Sequence, residues 1–359
     1  PIYTEPTTAS SKGRKRSPVR EVYARIDEDL ETAVSLFEEC GVKRKHISNL
    51  DLYSTSLLQA RVALVENDWN KAVVAAKRAI STPFASLLSK LDATVTKGTF
   101  DDSTTDWTTG KTPFNSVSSS SVMWGAEIIS DQSTLFASFF SNMDACTNVY
   151  YAAESPKCIS NWLYAQIPDS DIRKGWWNGN IGVSEKEWKY GANINYNQFK
   201  FQWADQNSYK GDYIFMRLEE AYLILAEALC RMGNDNEAKS ALGEIMSRRD
   251  SNWSGTLDTL GGNEQTFGTV GTVKTLLDEI LLQRRIELWG ETGRIFDILR
   301  LAKGWTRYWK VNGEESNHTN YLSKYPDYLN FPADYIECIL MIPQVEIDNN
   351  PNINPEDQN

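Results

Sequence analysis

The sequence predicts a mainly α-helical protein in which paired helices pack against a loop-rich region that holds a few short strands. Two pairs of segments carry apolar residues at helical spacing, and a polar turn joins the members of each pair. A further helical segment, 276–301, interleaves apolar residues with charges. Residues 97–211, between the two pairs, combine Ser- and Thr-rich stretches with many Trp and Tyr, which favours loops that are ordered.

Helix boundaries in the first half follow from capping and turn residues. Ser17-Pro18 is typical of an N-cap followed by the first helical position, and Gly41 is typical of a helix end. Ser48 is expected to cap a second helix, which the turn at Asn67-Asp68 separates from a third helix over residues 69–80. Small residues on these two helices would let them approach closely: Ala60, Ala72, Ala76 and Ala79.

The second half repeats this organisation. A helix is predicted over residues 218–232, a turn at Gly233-Asn234, and a partner helix over 235–249. The pattern is that of tetratricopeptide repeats, although neither copy has the full Trp, Gly and Tyr set of that motif. Repeats of this kind need at least about three units to be stable, so the segment 276–301 is expected to supply the missing packing surface.

The charges of this third segment must be paired or face a cleft, because a helix so apolar lies inside the protein. Gly290 and Gly293 are expected to interrupt the helix, and a new helix is expected over 294–301. Arg284 with Glu287, and Arg294 with Asp297, stand three residues apart and are predicted to pair across one turn. A structural ion network is favoured over a catalytic role, since buried carboxylates are costly unless they are bonded.

Composition excludes several classes of function. The net charge of -11 and the pI near 4.9 argue against nucleic acid and anionic membrane as partners. Five scattered cysteines without a CxxC motif form neither a disulfide framework nor a zinc site. Two distant histidines, His46 and His318, make a metal cluster or a Ser-His-Asp triad improbable, and we expect no metal or other cofactor.

The loop-rich region is the predicted ligand-binding part. Val122–Ile129 is an apolar run that fits a short strand, whereas the aromatic residues beyond it exceed what a core needs. Aromatic rings bind the C–H faces of sugars, and amides bond their hydroxyls. The candidate ligand-binding residues are Trp107, Asn148, Tyr150, Tyr151, Trp188, Tyr190 and Asn193. A second candidate ligand-binding cluster consists of Trp305, Tyr308 and Trp309. Four other tryptophans are predicted to be structural: Trp124, Trp176, Trp177 and Trp289.

Several segments resemble the SusD/RagB family of nutrient-binding outer-membrane lipoproteins from Bacteroidetes. These segments follow the family's order along the chain: PIYTEPTT with SPVREVYARIDEDLETAV, WGAEIISDQSTLFASFF, IPDSDIRKGWW, DYIFMRLEEAYLILAEALCRMGNDNEA, RRIELWGETGRIFDILRL and MIPQVEIDNNPNINP. The resemblance implies one SusD-like domain over 1–359. Its parts would be repeat units at about 18–96 and 212–303, a ligand region at about 97–211 and an extended tail at about 331–359.

The resemblance also implies a function without chemistry. Such a protein captures oligosaccharides at the outward-facing surface of the outer membrane and delivers them to a SusC-like TonB-dependent transporter. The chain lacks the lipidated cysteine and the preceding helical region of family members. Attachment to the membrane is therefore expected only through a lipid anchor that this chain does not contain.

Two alternatives remain open from the residues. A glycoside hydrolase needs two carboxylates facing each other across a substrate, at about 5–10 Å. Glu287 and Glu291 stand four apart on one element and cannot straddle a bond. A peptide- or protein-binding repeat scaffold without a glycan site would rest on the helices alone.

Overall fold

The computed structural model describes most of the chain. Side chains at 99–101, 106, 107, 147 and 311 are outside the description, although their backbone is within it. The described residues are 1–8, 10–101, 106–136, 138–147, 155–182, 194–255, 275–291, 294–307, 309–311, 313–317, 330–332 and 340–358.

Helices dominate the described part of the chain, which confirms the predicted fold class. The division into repeat units, ligand region and tail stays a prediction. The helices are α1 (Val19–Cys40), α2 (Leu52–Glu66), α3 (Trp69–Ile80), α4 (Phe139–Met143), α5 (Asn161–Ala165), α6 (Leu218–Arg231), α7 (Asp235–Met246), α8 (Leu276–Glu287), α9 (Arg294–Arg300) and α10 (Gln344–Asn349). None of those described is both long and apolar enough to cross a membrane.

The strands are short and pair in antiparallel hairpins or across the chain. They are β1 (Thr99–Asp101), β2 (Asp106–Thr108), β3 (Val122–Ala126), β4 (Tyr213–Arg217), β5 (Trp305–Thr306), β6 (Lys310–Val311), β7 (Glu314–Glu315) and β8 (Asn330–Phe331). The pairs are β1 with β2, β3 with β4, β5 with β8, and β6 with β7. Strand β4 runs directly into α6 and so connects the loop-rich region to the helical part.

Local capping explains where the first helices begin and end, and it corrects two predicted starts. Asp51, rather than Ser48, caps α2, because its carboxylate accepts from the Ser54 amide while the Ser54 hydroxyl accepts from the Asp51 amide. Pro18 is itself the cap position of α1, so that helix starts one residue later than predicted. The predicted ends are correct: Gly41 and Asn67 both adopt the left-handed conformation that closes a helix.

The helical core forms where α3 packs against both α2 and α6, and α6 packs against α7 and α8. Alanines fill the closest contacts, and each of those at positions 60, 72, 76, 79 and 226 is fully buried. Side chains this small bring neighbouring backbones together, which is how degenerate repeats still pack tightly. Helix α8 thus supplies the third packing surface that the repeat pattern required.

A second, aromatic core holds the loop-rich region. Four mid-chain tryptophans are buried in it: Trp162, Trp176, Trp177 and Trp203. Trp176 donates its ring N–H to the Ala93 carbonyl at 2.8 Å and meets Phe114 edge to face at 5.0 Å between centroids. These rings order the loops from inside and do not form a ligand surface.

An ion network joins the two cores. Glu287, at the end of α8, is completely buried and accepts hydrogen bonds from Arg249 at 3.0 Å and from Arg217 and Arg173 at 3.3 Å. Four acids and four bases make up this core ion network: Asp171, Glu219, Glu287 and Glu291, with Arg173, Lys200, Arg217 and Arg249. Its charges therefore balance, as burial demands.

The predicted extended tail contains a short α-helix. Proline is compatible with a helix start, and α10 begins directly after Pro343. Beyond α10, the side-chain amides of Asn350 and Asn352 donate to the carbonyls of Arg14 and Gly13 at 3.0 and 2.7 Å. The two ends of the described chain are thereby bound to each other.

Candidate functional site

A cavity of about 520 Å³ lies at the break between α8 and α9. Three distant parts of the chain line it: residues 155–163, the end of α8 with the start of α9, and the strand segment at 306–307. Its charged lining residues are Lys157, Arg284, Arg285, Arg294, Arg307 and Asp297. The break is set by Gly290, which has φ +76°, and a Cβ there would stand 2.5 Å from the Phe201 ring. Only glycine fits this turn.

Trp289 lines the cavity beside that glycine. Its ring meets Trp177 edge to face at 5.6 Å and lies nearly parallel to Phe201 at 6.5 Å between centroids. The side chain is half-buried. A ring fixed by two others, with part of its surface open, is a rigid apolar wall on which a sugar can stack. Sequence reasoning assigned Trp289 to structure alone, whereas it also lines the cavity.

The floor of the cavity is a second ion network, called here the floor network. Arg284 contacts Asp297 at 3.1 Å and Glu220 at 3.5 Å, and Asp297 also contacts Arg300 at 2.8 Å. The remaining members are Arg61, Glu227 and Arg231. Burial alone would raise the pKa of Asp297, but Arg284, Arg300 and Arg294 outweigh it and lower that pKa.

The predicted pairing of Arg284 with Glu287 is wrong. The two side chains leave α8 in different directions, and Arg284 enters the floor network while Glu287 enters the core ion network. For both Arg284 and Glu287, oppositely charged residues from other parts of the chain are closer than the residue three positions away on α8. In the second predicted pair, Arg294 does help to lower the pKa of Asp297, whose ion pairs at 2.8 and 3.1 Å are with Arg300 and Arg284.

Hydrogen bonds hold the outer wall of the cavity in place. The side-chain amide of Asn161 donates to the Glu315 carbonyl at 2.8 Å, and that of Asn317 donates to the Ile159 carbonyl at 2.8 Å. On the same wall, the Lys157 ammonium donates to the Ser155 carbonyl at 2.9 Å. The segment 155–163 is therefore fixed to residues 315–317, at the end of β7 and just beyond it.

The predicted ligand-binding residues are not brought together in the described part of the protein. Trp107 lies in β2 opposite Phe100, and its side chain is outside the description. The other six, Asn148, Tyr150, Tyr151, Trp188, Tyr190 and Asn193, lie outside the described residues. They stay predictions, although the cavity wall starts at Ser155, shortly after Tyr151.

The second candidate cluster is only partly described. Trp305 packs on Phe331 at 4.4 Å between centroids, Trp309 is buried, and Tyr308 lies outside the described residues.

Two cavity residues, Lys157 and Arg307, were not predicted from the sequence, because no motif or spacing around them indicates a site. Arg285 and Arg294 did carry a signal in the sequence, because charges in so apolar a segment had to be paired or face a cleft.

The described cysteines at 40, 146, 158 and 230 are free thiols. Within the described ranges, no group of three or more His, Cys, Asp or Glu side chains is placed to hold a metal ion.

Comparisons with solved structures show the same fold. A SusD-like carbohydrate binding protein from Bacteroides vulgatus aligns with TM-score 0.69 and 23% identity, over 99% of this chain and 70% of its own. A SusD superfamily protein from Bacteroides thetaiotaomicron aligns with TM-score 0.69 and 23% identity, over 100% of this chain and 70% of its own. Surface glycan-binding protein A from Bacteroides uniformis aligns with TM-score 0.60 and 17% identity, over 100% of this chain and 72% of its own. At such identities the likeness establishes the fold only.

A search of curated proteins found no match. The model of the SusD family, in contrast, matches residues 142–359, which is more than half of the chain. The order of family-like segments, the helical fold and this match agree, and the chain belongs to the SusD family.

Proposed function

We propose that this protein captures oligosaccharides without cleaving them. The cavity at the α8–α9 break is the observation that carries the proposal. Its volume of about 520 Å³ lies within the range of about 300–1,000 Å³ that is usual for ligand pockets. Trp289 supplies an apolar ring, and the surrounding side chains supply hydrogen-bond donors. Two proteins of similar structure, a carbohydrate binding protein and a glycan-binding protein, support the same ligand class.

The acidic residues near the cavity are poorly suited to hydrolysis. Burial would raise the pKa of Glu287, but Arg249, Arg217 and Arg173 outweigh it and hold that pKa well below its ordinary value. Arg217 and Lys200 likewise lower the pKa of Glu291 against the effect of burial. A general acid must keep its proton near neutral pH, and neither carboxyl does so. This argument supports binding without chemistry.

Family membership extends the proposal to the cell surface. The protein would act on the outward-facing side of the outer membrane and pass its ligand to a SusC-like TonB-dependent transporter. Trp107, Tyr150, Tyr151, Trp188 and Tyr190, with Asn148 and Asn193, remain proposed ligand contacts beyond the cavity wall. Co-purification with a SusC-like transporter from the native cells would support that partnership.

Calorimetric titration with a panel of plant, host and microbial oligosaccharides tests the ligand class. We expect at least one to bind, and Trp289→Ala to weaken that binding about tenfold, because the sugar loses its stacking surface. Trp69→Ala is the matched control, since Trp69 lies in α3 and does not line the cavity. Circular dichroism of both variants shows that they are folded.

Three outcomes would contradict the proposal. No binding across the whole panel removes glycan capture and favours a repeat scaffold for peptides or proteins. Equal loss of affinity in both variants means that the cavity is not the site. Release of new reducing ends from a bound glycan identifies a hydrolase.

A further inference from the structure

We infer that the α8–α9 cavity selects an acidic oligosaccharide, one whose sugar rings carry carboxylate or sulfate groups. The inference rests on the proposed function and adds the chemical class of its ligand. It is drawn from the charges of the cavity lining, from the pairing within its floor and from the position of Trp289.

The charge of the lining is opposite to that of the protein. The chain carries a net charge of -11. Yet the described lining of the cavity contains five cationic side chains and one acidic side chain. A concentration of positive charge in one concave site of an acidic protein attracts anions locally, while the overall charge repels large polyanions such as nucleic acid.

The floor of the cavity does not neutralise this charge. The core ion network has as many acids as bases, whereas the floor network has three acids, Glu220, Glu227 and Asp297, and four arginines, Arg61, Arg231, Arg284 and Arg300. The single acid of the cavity lining, Asp297, is already shared between Arg284 and Arg300. Because Arg294 also acts on this carboxylate, Asp297 leaves Lys157 and Arg307 without an acidic partner among the described residues.

The cations are presented in forms suited to a small anionic group. Arg307 is exposed directly after β5, and Lys157 lies in the segment 155–163, where its ammonium donates to the neutral Ser155 carbonyl. Arg285 and Arg294 also line the cavity and are half-buried. A guanidinium binds carboxylate or sulfate oxygens through two parallel N–H donors, which gives direction as well as charge.

At the floor, the Nη1 of Arg284 is buried and lacks a hydrogen-bond acceptor among the described residues. An additional donor at this depth is consistent with a site built for an anion. Because the residue lines the cavity, an anionic group that reached it would complete its bonding.

Trp289 distinguishes a charged sugar from a simple anion. An inorganic ion needs no aromatic wall and fills little of a 520 Å³ cavity. An acidic sugar uses both features, since its ring stacks on the indole while its carboxylate or sulfate meets the cations. The two features lie on adjacent parts of one lining, so one ligand can use them together.

Calorimetric titration with two forms of one oligosaccharide tests the inference. An oligogalacturonide carries a carboxylate on each ring, and its fully methyl-esterified form has the same rings without the charge. We expect the free acid to bind at least about tenfold more tightly, with an affinity that falls as salt rises. A chondroitin sulfate oligosaccharide forms the second arm, and stronger binding there identifies sulfate as the preferred group.

Substitutions then locate the charges. Lys157→Met with Arg307→Gln should weaken binding of the free acid about tenfold or more and leave binding of the ester unchanged. The matched control is Lys45→Met with Arg20→Gln, two exposed cations outside the cavity lining, and it should change neither.

Each contrary result has a distinct meaning. Equal affinity for acid and ester, or preference for neutral oligosaccharides, overturns the inference and leaves glycan capture standing. Complete displacement by millimolar inorganic sulfate or phosphate, with no discrimination among sugars, reveals a simple anion site and also overturns it. Absence of binding to every glycan removes the proposed function itself.

Discussion

Glu287→Gln is expected to lower the free energy of unfolding by about 3–5 kcal/mol, the usual cost of breaking a buried ion pair. Three arginines surround this carboxylate, which has no exposure to solvent. The amide keeps the shape of the side chain and removes its charge, so Arg173, Arg217 and Arg249 lose a shared partner in a medium of low polarity. Urea unfolding followed by tryptophan fluorescence measures the change.

Glu287 should also make the stability of the folded protein depend on pH in the acidic range. Because the pKa of Glu287 is lowered in the folded state from its ordinary 4.5, its stabilisation is complete above about pH 4.5 and is lost as the pH falls toward the folded value. The pKa values of Glu291 and Asp297 shift in the same direction. Stability should therefore decline below about pH 4.5, and less steeply in Glu287→Gln than in the parent.

Glu28→Gln is the matched control, because that carboxylate pairs with Arg25 on the exposed face of α1. Exposed pairs of this kind contribute little, so the unfolding midpoint should not move. An equally small effect at Glu287 would mean that the core ion network fixes the geometry of the helices and adds no stability.

Trp176→Ala should cost about 3–5 kcal/mol of stability, as expected for removing a large ring from a packed core. Trp176 is fully buried, donates to the Ala93 carbonyl and packs against Phe114 and Trp177. Its loss leaves a cavity in the aromatic core and an unpaired carbonyl. The same urea unfolding measurement determines the change in free energy.

Two variants make this result specific. Trp176→Phe keeps much of the volume and should lose clearly less, whereas Phe296→Ala, at a ring that is 63% exposed, should lose almost nothing. If Trp176→Ala unfolds at the same urea concentration as the parent, the aromatic cluster does not hold the loop-rich region together.

Features that depend on neighbouring residues were predictable from the sequence. Helical spacing identified both helix pairs and the third packing segment, and the turn residues identified the ends at Gly41 and Asn67. The apolar run from Val122 contains the observed strand β3. These features are set by periodicity, capping and backbone conformation, which act within a few residues.

Partners separated by long stretches of chain were not predictable. Arg173 bonds Glu287 across 114 residues, and Arg61 reaches Glu220 across 159. The cavity has the same origin, because its walls come from three segments that only the folded chain brings together. Trp176 and Trp177 were predicted to be structural, whereas composition could not indicate that Trp162 and Trp203 would also face the interior.

Helix α8 has one consequence for how a ligand would be held. Its last residue, Glu287, belongs to the buried core ion network. The helix ends close to Trp289, whose ring is held in place by two other aromatic residues. As a proposed binding surface, this ring is preorganised, so binding of a ligand would not have to immobilise it and would cost less conformational entropy. Most of the conformational change on binding would then occur in the ligand and in the long cationic side chains that line the cavity.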